Sequence, residues 1–172
     1  LASEDNYNFD TPDALEMSKI SETLKLLKKG HQTINLPSYD YTTHIRSKDD
    51  ILTTIEEPIV IIDGLYLLTF PEIREYLDYS IFLDVSPETC LQRRIERDIQ
   101  TRGRCEKSVR IQTEKYVYPG WKKFIEPYKN FASIIINTET QIPDGLLMGI
   151  CNQIMDTKKI IDDITIIDTK KN

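Results

Sequence analysis

Six of the eight arginines in this chain, Arg93, Arg94, Arg97, Arg102, Arg104 and Arg110, fall within one short stretch, although the formal net charge is -6. Such a cluster is a local device rather than general basicity. Guanidinium groups present planar, multi-donor forks that match phosphate oxygens. Arg94 and Arg97 are three apart on a helix-like stretch, so both can reach one ligand. The competing reading is a solvated helix whose arginines pair with Glu96, Asp98 and Glu106. Arginine continues past Gly103 to Arg104, where a surface helix would have ended, and this favours phosphate binding.

Other residues suit the same chemistry. Asp63 ends the run IVIID before Gly64, and a carboxylate at the tip of a strand can hold Mg²⁺ beside a nucleotide's phosphates. An ordinary Asp-Gly turn reads the same way. Asp5 and Asp10 flank Tyr7 and Phe9. One carboxylate can accept a proton from a substrate hydroxyl and another can bind sugar hydroxyls. Asp10 followed by Thr11 and Pro12 also reads as a helix cap. Tyr39, Tyr41, His44 and Arg46, in YDYTTHIR, offer two aromatic faces for a planar base and two polar heads for its edge. A polar loop with half-buried tyrosines is the plainer alternative. The phosphate-cradling pattern G-x-x-x-x-G-K-[ST] does not occur.

The elements that must position these residues follow from spacing. Asp13 to Lys29 has helical periodicity through Leu15, Ile20, Leu24 and Leu27, with Gly30 as the stop. Thr33 to Tyr41 is extended and broken by Pro37. The runs Pro58–Asp63, Tyr79–Val85 and Ala132–Asn137 read as strands buried on both faces. Ser86-Pro87-Glu88 starts a helix, with a serine N-cap, proline at the first position and an acid in the first turn. That helix is expected to run to Arg102 and stop at Gly103, with Leu91, Ile95 and Ile99 as its apolar stripe. Ile142 to Met155 is a further helix. Alternating strands and helices indicate an α/β fold with a largely parallel sheet, whose ligands bind beyond the carboxyl ends of the strands.

At 172 residues, with 40% hydrophobic and 29% charged residues, the chain fits a single globular domain. Its acidic balance argues against a nucleic-acid partner. No apolar run reaches bilayer length, so no membrane partner is expected. Three widely spaced cysteines form neither a metal motif nor a disulfide framework, which suits a reducing, cytoplasmic setting.

The stretches SEDNY, NFDTPDAL, LPSYDYTTHIR, VIIDGLYLL, IFLDVSPETCLQRRIERDIQTRGR, VYPGWKKFIEP and ASIIIN resemble, in order, the uridine kinase (uridine-cytidine kinase) family of P-loop kinases. The resemblance implies a P-loop-kinase-like parallel sheet flanked by helices. It implies ATP as phosphoryl donor, Mg²⁺, and transfer to the ribose 5′-hydroxyl of uridine or cytidine to give UMP or CMP. Asp5 would be the general base and Asp10 would bind the ribose hydroxyls. Tyr39 and His44 would read the pyrimidine edge, with Tyr41 packing on the base and Arg46 nearby. Asp63 would help to bind magnesium, as aspartate where the family usually has glutamate. In a lid of about residues 93–112, Arg94, Arg104 and Gln112 would face the nucleoside, with Arg94 also serving catalysis. Arg97 and Arg102 would face the ATP phosphates. A homo-oligomer, dimer or tetramer, is also implied.

Two departures qualify the match. The family's first strand and P-loop do not occur, and the chain begins with leucine, so an incomplete chain is expected. Asp5 and Asp10 are also closer together than in the family. The alternatives are a related kinase, such as a nicotinamide riboside kinase, or a non-catalytic nucleoside-binding or scaffold homologue without a P-loop.

Overall fold

The computed structural model describes residues 8, 10–40, 45–47, 49–56, 59–158 and 164–168, with backbone alone at 39, 40, 45, 157, 158 and 164–168. The chain clusters into two compact units. One gathers residues 15–77 and the chain from Gly149 onward; the other gathers residues 8–14 and 78–148.

In the first unit, the helix expected from Asp13 is split. A 3-10 turn, Pro12–Ala14, is followed by α1, Met17–Lys28, because Glu16 at ψ 68° interrupts the helical path. Leu15 is consequently exposed, while Met17 and Leu24 carry the buried face of α1. Gly30 takes φ 81°, a left-handed conformation suited to glycine just beyond a helix end. Pro37 divides the extended segment as expected, into β1, Thr33–Leu36, and β2, Tyr39–Asp40. β2 pairs antiparallel with β3, Ile45–Arg46, and β1 pairs antiparallel with β4, Ile51–Thr54. β5, Ile59–Asp63, leads through a turn to the short helix α2, Pro71–Arg74. The Ser21 hydroxyl on α1 donates to the Glu72 carbonyl on α2 at 3.0 Å. Ile73 beside it is fully buried.

The second unit begins with β6, Ile81–Asp84, which feeds α3, Pro87–Arg102. Both ends of α3 follow the sequence. The Ser86 hydroxyl accepts from the Thr89 amide at 3.3 Å, satisfying one of the free donors of the first turn. Gly103 closes the helix at φ 61°. Replacing Ser86 with alanine should cost about 0.5–2 kcal/mol of stability, read as a lower urea midpoint at unchanged m-value; no change would remove the cap. α4, Glu106–Gln112, continues through a π-helical turn, Thr113–Val117, into α5, Tyr118–Phe124. A 3-10 segment, Glu126–Phe131, precedes β7, Ile134–Asn137, which pairs parallel with β6.

α6, Asp144–Lys158, and β8, Ile164–Asp168, complete the chain, and β8 pairs parallel with β5. The fold is thus α/β with parallel strand pairs and helices between them. Burial on both strand faces is not observed. Ile61, Ile81, Leu83 and Ile135 are exposed while Ile136 is buried. Among the described residues each parallel pair holds two strands, so alternate side chains of these apolar runs remain uncovered. Among the described residues, no helix is long and apolar enough to cross a membrane.

Candidate active site

Asp98 organises the arginine-rich segment. Its side chain is 0% exposed, and it is the buried charged residue among those described. Four guanidinium groups surround it: Arg97 Nη2 at 2.8 Å, Arg102 Nη1 at 3.4 Å, Arg104 Nη1 at 3.5 Å and Arg94 Nε at 3.7 Å. Local geometry explains the gathering. Arg94 and Arg102 lie four residues to either side of Asp98 on α3, so both share its face. The left-handed turn at Gly103 then carries the chain back, and the Arg104 amide donates to the Asp98 carbonyl at 3.1 Å. This corrects the expected apolar stripe. Ile95 is buried, but Ile99 is 47% exposed and Asp98 takes the inward position. A carboxylate can hold that place because it is paired with cations.

Burial works to raise the Asp98 pKa, but the Arg97 hydrogen bond and the charges of Arg97, Arg102 and Arg94 outweigh it. The carboxyl is held below the usual aspartate range. Its stabilising contribution is therefore complete above the unfolded-state pKa of about 4. It is lost as the pH falls through the lower folded-state value.

Gln112 and Asp10 join this cluster. The Gln112 Oε1 accepts from Arg94 Nη2 at 3.2 Å and from Arg104 Nη1 at 2.7 Å. Burial lowers the pKa of Arg94, opposed first by the charge of Asp10 and then by that of Asp98; as a guanidinium it stays cationic. The Asp10 amide donates to Asn8 Oδ1 at 2.9 Å. Arg110 stands apart, paired with Glu106 at 2.7 Å on the exposed face of α4. Arg93 donates to the Thr138 carbonyl at 3.0 Å.

The backbone of Gly120 lies close against that of Asp10. A methyl group at Gly120 would lie 2.6 Å from the Asp10 carbonyl oxygen, closer than any side chain can approach. Alanine is favoured over glycine inside a helix by about 1 kcal/mol, while overpacking costs about 1–3 kcal/mol. Gly120→Ala is therefore expected to destabilise the protein and displace Asp10. A stability gain in urea unfolding would remove the close approach.

The remaining expected site residues lie elsewhere. Asp63 is exposed at the tip of β5, in register with Asp168 on β8. Arg46 is held by Glu16 at 3.1 Å and by Asp50. The Tyr39 backbone pairs with Arg46 across the β2–β3 ladder. Asp5, Tyr41 and His44 lie outside the described residues. Among the described residues, no three His, Cys, Asp or Glu side chains are grouped to hold a metal ion.

Sequence reasoning took Asp98 only as a surface partner and attached no role to Gly120. The signal for Asp98 was its position midway between Arg94 and Arg102. The signal for Gly120 was a glycine inside a helical run.

The profile of the Phosphoribulokinase / Uridine kinase family matches residues 1–142, and the chain belongs to this family. Over 129 residues it is 42% identical to the uridine kinase of Escherichia coli (strain K12) and 40% identical to that of Shewanella sp. (strain W3-18-1). Each match covers 75% of this chain and 60% of the relative, so the chain spans well under two thirds of the length of these kinases.

Proposed function

We propose that the protein is a nucleoside kinase that transfers the γ-phosphoryl group of ATP to the ribose 5′-hydroxyl of uridine or cytidine. The observation that carries this reading is the gathering of Arg94, Arg97, Arg102 and Arg104 around one carboxylate, with the Gln112 amide and Asp10 alongside. Four cations against one buried anion leave an excess of positive charge suited to a polyphosphate. The names of the relatives support the nucleoside as acceptor.

In the reaction, the 5′-oxygen forms a bond to the γ-phosphorus as the bond to the bridging oxygen of ADP breaks. Asp5 takes the hydroxyl proton. Arg97 and Arg102 stabilise the charge on the transferring phosphoryl group, where preorganised donors contribute most. Arg94, Arg104 and Gln112 orient the nucleoside, and Asp10 binds its ribose hydroxyls. Tyr39, Tyr41 and His44, with Arg46 nearby, recognise the pyrimidine. Asp63 would be the protein carboxylate that holds a magnesium ion carried on ATP, and that ion would neutralise phosphate charge.

The test is formation of UMP from uridine, or CMP from cytidine, with ATP and the full-length protein, and with nicotinamide riboside as a competing acceptor. Production of UMP or CMP supports the reading. Exclusive turnover of nicotinamide riboside would reassign the acceptor, and binding without turnover of either would make the protein a nucleoside-binding homologue.

A further inference from the structure

We propose that Asp98 is a positioning residue for phosphoryl transfer: its buried carboxylate gathers Arg94, Arg97, Arg102 and Arg104 into one phosphate-binding cluster before any ligand arrives, without itself touching substrate. The inference rests on the kinase reading above, but its geometry stands independently.

Four like-charged guanidinium groups repel one another, and in water each would extend separately. Here they converge because one buried carboxylate sits among them, at 2.8, 3.4, 3.5 and 3.7 Å. The four are not held alike. Arg97 is committed, with Nε at 2.9 Å and Nη2 at 2.8 Å from the same oxygen, Oδ1. Arg94 and Arg104 face Oδ2 at ion-pair distance, yet Oδ2 and Arg94 Nε have no hydrogen-bond partner among the described residues. Arg94 Nε is thus buried and confined beside Oδ2 by charge, without a hydrogen bond. The side chains of Arg97 and Arg102 are half exposed, so incoming phosphate can reach them. Asp98 also closes α3, since its carbonyl accepts from the Gly103 and Arg104 amides. The residue that fixes the helix end therefore also fixes the arginines on both sides of that end. Pre-paying this arrangement lowers the entropy lost when phosphate binds.

The positioning role and simple charge balance predict opposite signs. Asp98→Asn removes one negative charge beside four positive ones. By Coulomb attraction alone, inorganic tripolyphosphate would bind more tightly. If Asp98 positions the arginines, tripolyphosphate should bind about tenfold more weakly to the folded full-length variant, and kcat for nucleoside phosphorylation should fall about 10²-fold. Tighter or unchanged tripolyphosphate binding overturns the proposal. Asp98→Glu keeps the charge but moves it by one methylene, and it serves if the asparagine variant does not fold. Weaker tripolyphosphate binding by folded Asp98→Glu supports positioning, and wild-type affinity overturns it. Failure of the kinase reading would appear separately, as a wild-type protein that binds tripolyphosphate but phosphorylates no nucleoside.

Discussion

Arg97→Ala is expected to lower kcat about 10²–10³-fold while uridine KM stays within about threefold. Arg102→Ala should behave in the same way. Both side chains are half exposed and reach Asp98 from the solvent side, so neither is a packing element. Arg102→Ala leaves Asp98 its Arg97 hydrogen bonds, so the fold should survive; Arg97→Ala removes those bonds, so its kinetics are read on protein whose fold is verified by circular dichroism. On the proposed mechanism, what disappears is a cation aimed at charge that grows only as the phosphoryl group transfers, so kcat should suffer and KM should not. Arg110→Ala is the matched control, because Arg110 pairs with Glu106 away from the cluster. Steady-state kinetics with uridine and ATP decides the matter. Equal damage to kcat and uridine binding would place Arg97 and Arg102 on the nucleoside side and end the phosphate assignment.

Ile73→Ala is expected to destabilise the protein by about 2–5 kcal/mol. Ile73 is fully buried on α2. That helix has only four residues, too few to be stable without tertiary packing. It is held by the Ser21 bond from α1 and by Arg74, whose guanidinium donates to the Leu68 carbonyl. A cavity here cannot close by sliding a long helix inward, so a large share of the loss should persist. Against a typical total stability of about 5–15 kcal/mol, the urea midpoint should move visibly at constant m-value. A shift worth under about 1 kcal/mol would mean that the site repacks freely.

The elements legible in the sequence are those fixed by local chemistry. The Ser86 cap, the Pro87 start and the Gly103 stop bound α3 as expected, because capping depends on neighbouring residues alone. Pro37 divided the extended segment for the same reason. Of the site, the arginine cluster was legible from residue type and spacing, while Gln112 entered only through the family resemblance. The inward turn of Asp98 was not, since a hydrophobicity pattern favours Ile99 for that position. Only the convergence of four charges from both sides of Gly103 makes an aspartate the better occupant. The contact of Gly120 with Asp10 was also hidden, since it joins residues more than a hundred positions apart.

The π-helical turn at Thr113–Val117 sets the phase between two functional faces. It joins α4, which ends at Gln112 beside the arginines, to α5, which carries Gly120 beneath Asp10. A π turn holds one residue more than an α turn. Removing a single residue from 113–117 would let this stretch relax into uninterrupted α-helix with Gln112 and Gly120 in nearly the same relative orientation, whereas removing one from the α-helical turns on either side would rotate one against the other by about 100°. The wide turn therefore absorbs one residue of length: a single deletion within it keeps the two faces aligned, whereas the same deletion within α4 or α5 uncouples them.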